Sequence, residues 1–98
     1  MRPLEHIDVR DAARVLLAAP AGTRAALCLR MLDEADWADA YTSRIGRQHA
    51  LWGDGTLSAA ARKRVRAREP RLNDVEYCTC LETVLRTILK RKEERASR

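Results

Sequence analysis

Apolar residues return every three or four positions along four separate stretches of this 98-residue chain, and that period commits the chain to helices. In the first stretch Val9, Ala12, Ala13, Leu16 and Leu17 share a face. Asp8 is the expected N-cap with Asp11 at the third position, and Pro20-Ala21-Gly22 is the expected stop. The second stretch runs from Thr23 to Arg44 and carries Leu27/Cys28, Met31/Leu32, Ala35, Ala38, Tyr41/Thr42 and Ile45. Gly46 is its expected left-handed C-terminal residue. A loop with a Gly53-Asp54-Gly55 turn follows, and Thr56 can cap a short Ala-rich helix expected over Leu57 to Arg68, before Pro70. The last helix opens with Asn73 as N-cap, Glu76 at the third position and a Leu72–Tyr77 staple. Its core stripe is Tyr77/Cys78, Leu81, Val84/Leu85 and Ile88/Leu89.

The fold class expected is all-α, with about four helices, a long second helix and a hairpin-like core in one domain over residues 1–89. A polar, fraying basic tail is expected over 90–98. Four Gly and three Pro argue against an all-β chain rich in turns. The second helix, at about 22 residues and near 33 Å, outruns a three-turn neighbour, which suggests a surface between subunits. Met31, Trp37 and Tyr41 on that helix and Trp52 in the loop are the candidate oligomer contacts.

No apolar run approaches the roughly 20 residues of a bilayer span, so no membrane partner is expected. Three cysteines exclude a complete set of internal disulfides, and the start lacks the apolar core of a signal peptide. The expectation is a cytoplasmic chain with reduced thiols. Cys78-Thr79-Cys80 lacks the spacing and second ligand pair of structural zinc. Cys78 is expected to face the Leu81/Leu85 stripe, with Cys80 pointing elsewhere. His6 and His49 have no nucleophile placed beside them by spacing, and Gly53-Asp54-Gly55 lacks the Lys-Ser/Thr of a phosphate loop. No catalytic constellation emerges, so the chain is expected to be non-enzymatic and free of cofactors and metals.

Charge is unevenly placed. Sixteen Arg stand against three Lys in a net charge of +5. Residues 62–71 hold Arg62, Lys63, Arg64, Arg66, Arg68 and Arg71 for a net +5, and residues 86–98 hold a net +4. The remainder sums to −4, centred on Asp33, Glu34, Asp36 and Asp39. The first basic stretch, expected as a helix face, suits duplex phosphates, where binding would be weak, non-specific and salt-sensitive. It equally suits an acidic protein partner. Lys90, Arg91, Lys92, Arg95 and Arg98 form a second candidate contact surface. The acidic cluster lacks calcium-loop spacing and is expected as an exposed face, complementary to the basic one in head-to-tail self-association. A helix-turn-helix over the first two helices fits poorly, because these acids would repel the DNA backbone. Trp52 serves either as a structural corner or as an exposed anchor for a partner.

Two strings are distinctive: His49-Ala50-Leu51-Trp52-Gly53-Asp54-Gly55-Thr56-Leu57-Ser58-Ala59-Ala60-Ala61, and Glu69-Pro70-Arg71-Leu72-Asn73-Asp74-Val75-Glu76-Tyr77-Cys78 followed by Cys80-Leu81 and Val84-Leu85. With Met1-Arg2-Pro3 and Ala12 to Pro20, they resemble the short first protein of the gene transfer agent clusters of alphaproteobacteria, the Rhodobacter type. That resemblance implies a small terminase subunit. Such proteins form homo-oligomeric rings, engage double-stranded DNA and pass it to the large terminase motor. Phage small terminases typically carry a separate N-terminal helix-turn-helix domain, for which this chain is too short. The resemblance therefore implies DNA binding with little sequence preference, with the basic C-terminal stretch a candidate dock for the motor. A small helical transcriptional regulator and a protein-only adaptor of a phage-like particle are the alternatives.

Overall fold

The computed structural model describes residues 1–97. It has four α-helices: α1 (His6–Ala18), α2 (Arg24–Ile45), α3 (Leu57–Arg62) and α4 (Val75–Ala96). The all-α expectation holds. A single 3₁₀ turn, Ala21–Thr23, links α1 to α2. α1 packs against α4 and α3, and α2 covers the same two helices from its own side.

The core is built largely from small and medium side chains. Ala12, Ala13 and Leu16 of α1, Cys28, Met31 and Leu32 of α2, Leu57, Ala60 and Ala61 of α3, and Tyr77, Cys80 and Val84 of α4 are buried together. Alanines on the facing sides of α1 and α3 let the helix backbones approach closely, which is how a chain without phenylalanine fills its interior.

Several local expectations shift. α1 starts at His6, not Asp8: Glu5 is the N-cap and Asp8, at the third position, closes a capping box. α4 is capped by Asp74 rather than Asn73, through an Asp74 carboxylate that accepts from the Tyr77 N–H. Leu72 stays exposed and makes no staple with the buried Tyr77. α2 ends as expected, with Gly46 at φ 83°. Thr56 caps α3 by accepting from the Ala59 N–H.

The largest difference lies at the basic stretch. α3 ends at Arg62 with Lys63 as C-cap, so residues 65–71 form a non-helical strap instead of the end of a helix. The strap backbone is clipped to α1 at Ala67: the Ala67 N–H donates to the Arg14 carbonyl, and Arg14 Nε donates to the Ala67 carbonyl at 2.8 Å. At the other end of the chain α4 continues through Lys90 to Ala96, so no break sets off a tail at residue 90. α2, at 22 residues, outruns α1 at 13 and α3 at 6, as expected, but α4 matches it at 22.

Candidate functional site

The strap leaves the helix where two buried acids wait for it. Glu34 is almost fully buried on α2. It accepts from Arg64 at 2.7 Å and 2.9 Å, from Arg30 at 3.0 Å and from Lys63 at 3.4 Å. Burial pushes the Glu34 carboxyl up, but the hydrogen bonds and charges of Arg64 and Lys63 outweigh it and hold the group at about 2. Asp11 on α1 accepts from the Ser58 hydroxyl and from Arg62 at 3.3 Å, with Arg66 at 3.6 Å. Its neighbour Asp8 accepts from the Glu5 and Ser58 backbone N–H groups, so one carboxylate caps α1 and secures the first turn of α3.

Four of the six residues expected to meet phosphates are thus counter-ions of the protein's own core. Arg62, Lys63, Arg64 and Arg66 are paired with Asp11 or Glu34, though all but Arg64 remain at the surface, while Arg68 and Arg71 are exposed with no ion pair among the described residues. Glu34 is not on an exposed acidic face, because Arg64 and Lys63 cover it. Asp33 and Asp36 are likewise taken up within the chain. Arg91 bridges them at 2.6 Å and 2.9 Å, and Arg95 also binds Asp36. The Met1 amine reaches Asp36 at 2.7 Å and Asp39 at 3.2 Å. Burial raises the Asp36 carboxyl, but Arg95 and the Met1 amine lower it further, leaving it below its ordinary value. Of the second basic set, Arg91 and Arg95 therefore serve the fold, Lys90 and Lys92 are exposed, and Arg98 lies outside the described residues.

Met31 is completely buried and offers no surface to a partner, which removes it as an oligomer contact. Trp37, Tyr41 and Trp52 do meet, at one end of α2. Trp37 and Trp52 have ring centroids 5.0 Å apart, His49 stacks on Trp52 at 4.3 Å, and Tyr41 meets His49 edge-on at 4.8 Å. His49 Nδ1 accepts from both the Leu51 and Trp52 N–H groups at 3.0 Å, which leaves the ring proton on the other nitrogen. Gly55 sits at φ 99°, where an added Cβ would stand 2.7 Å from the Asp39 backbone. The Trp-Gly-Asp-Gly string is therefore a corner that folds the loop onto α2. It leaves Trp37 40% exposed, beside the exposed Arg44.

A feature missed in the sequence is the outer side of α4. Cys78 shares a face with Leu81 and Leu85 and Cys80 points elsewhere, as expected, but it is Cys80 that is buried and Cys78 that is exposed. The buried face is Tyr77, Cys80, Val84 and Ile88. A second stripe, Val75, Cys78, Leu81, Leu85 and Leu89, is only partly covered: Leu81 leans on the core, while Leu85 is 49% and Leu89 59% exposed. Half-buried Leu4 and Ile7 border it. The signal was present in the doublets Tyr77/Cys78, Val84/Leu85 and Ile88/Leu89: neighbouring helical positions stand about 100° apart, so both members are buried only where partners cover a wide arc, as they do at Met31 and Leu32 on α2.

No helix is long and apolar enough to cross a membrane, and among the described residues no three His, Cys, Asp or Glu side chains converge as a metal site. The chain belongs to the family DUF7742, a domain of unknown function, whose profile matches residues 2–88. No curated protein and no solved structure matches it.

Proposed function

We propose that this protein is the small terminase subunit of a phage-like gene transfer agent. In that role it is a non-enzymatic, ring-forming component that binds double-stranded DNA with little sequence preference and recruits or regulates the large terminase in the cytoplasm. The observation that carries the reading is the resemblance of the Trp52-Gly53-Asp54-Gly55 and Glu69-Pro70-Arg71-Leu72-Asn73-Asp74 strings, within a likeness that runs along nearly the whole chain. Two structural features support it. The aromatic patch of Trp37, Tyr41 and Trp52 and the outer stripe of α4 leave apolar surface for neighbours. Arg68 and Arg71 on the strap and Lys90 and Lys92 on α4 are the cations left for phosphates or the motor.

The test is a mobility shift on duplexes of unrelated sequence across a salt series. The joint variant Arg68→Glu/Arg71→Glu is expected to weaken binding about tenfold or more at low salt and to flatten the salt slope. Binding confined to one footprinted sequence would favour a transcriptional regulator. The internal pairing of Arg62, Lys63, Arg64 and Arg66 favours the protein-only adaptor as a second reading, and absence of any DNA binding at low salt would decide for it.

A further inference from the structure

The outer stripe of α4 has a charge order that fits its own reverse. Asp74 at the N-cap and Glu82 stand toward the start of the helix, while the exposed Arg86, Lys90 and Lys92, which outnumber the exposed Glu93 and Glu94, stand toward its end. Val75, Cys78, Leu81, Leu85 and Leu89 form the apolar seam beside them. Two such helices laid parallel would set acid against acid and base against base. Laid antiparallel, each acidic half meets a basic half.

We infer that this face binds a second copy of the chain, α4 against α4 in antiparallel orientation about a two-fold axis near Leu85. Leu85 then meets its own copy, and Leu81 lies opposite the second copy's Leu89. Glu82 comes within a turn of the second copy's Arg86, and Asp74 lies four residues, about 6 Å, along the axis from the second copy's Lys92. Each contact occurs twice, as a two-fold interface requires. Within one chain Glu82 and Arg86 are linked at 3.4 Å with both side chains well exposed, a pair weak enough to exchange for the reciprocal contact. The apolar steps along the seam are three, three, four and four, a helical stripe rather than a strict heptad, and the charged flank sets the direction. An unrelated protein would need its own stripe of matching charge order, whereas a second copy supplies it by symmetry. The pairing does not rest on the packaging reading, and it is tested without DNA or motor.

Native mass spectrometry and sedimentation of the full chain should give a mass built from pairs of the 11.1 kDa chain. Leu85→Glu, at a half-exposed site, should halve that mass without loss of helical circular dichroism. Glu82→Arg and Arg86→Glu should each weaken association, and the combined swap should restore it. Mild oxidation gives a second measure of direction. In antiparallel pairing the two Cys78 residues stand 14 positions apart along the seam, about 21 Å, too far for a disulfide. The wild type should therefore stay uncrosslinked, while Leu85→Cys/Cys78→Ser should crosslink. A monomeric wild type, or association indifferent to Leu85→Glu, would overturn the proposal. A Cys78–Cys78 crosslink in the wild type, or a swap that fails to restore pairing, would equally refute the antiparallel direction.

Discussion

Glu34 concentrates the energetics of the fold in one side chain. It is a buried carboxylate with three cationic partners, and removing one side of such a cluster leaves the other without compensation. Glu34→Ala is expected to cost about 3 kcal/mol, the low end for a buried pair because Arg64 and Lys63 retain access to water. Chemical denaturation measures it. The pH dependence follows from the same residue. Its folded value of about 2 lies below its ordinary 4.5, so the stabilisation is complete above pH 4.5 and is lost as pH falls through about 2. The midpoint of unfolding should drop over that interval, and Glu34→Gln should remove part of the drop, the rest coming from carboxylates such as Asp36 that are also held below their ordinary value. Glu34 was legible in the sequence as one of several acids, but its burial was not. Arg30, four residues back, is its one local partner, and the two cations that cover it arrive from about 30 residues away.

At the scale of elements, α4 departs furthest from what its sequence predicts. Its existence and length follow from spacing that any helix shows, whereas the direction of its faces depends on what packs against it. The chain holds enough apolar side chains on α4 for two faces, and α1 and α2 cover only one. The final turns changed as well. Residues past Leu89 carry no apolar stripe, which reads as a tail, yet Arg91 and Arg95 hold Asp33 and Asp36 on α2. Truncation after Leu89 is therefore expected to lower the thermal midpoint markedly, while Lys90→Ala/Lys92→Ala leaves it near the wild-type value. Equal midpoints for the two variants would show that the Arg91 and Arg95 clamps add nothing. The α3 boundary was misplaced for a related reason. Helix propensity over Arg62 to Arg68 is good, but Glu34 and Asp11 draw cations from successive turns toward two different helices, and the backbone leaves helical geometry to satisfy both.

Across the whole molecule, charges separated along the chain are brought together in space. The acidic centre on α2 lies between the two basic stretches and neutralises part of each, so the sequence overstates the dipole that a partner meets. Reversing Arg62, Lys63, Arg64 and Arg66 together would dismantle Glu34 and Asp11 contacts before it reported on any ligand; Arg68 and Arg71 are the informative positions for DNA. The strap also makes the molecule two pieces with one bridge. Its exposed arginines lie in non-helical backbone whose hydrogen bonds to the body run through Ala67. Trypsin is expected to cut first at Arg68 or Arg71, ahead of the helical sites. The buried contacts of α4 with α1 and α2 should then hold the two fragments in one particle through size exclusion. A nicked protein that keeps its shape would make the chain divisible: residues before and after the strap could be expressed as separate polypeptides and recombined, each carrying a different label to follow assembly.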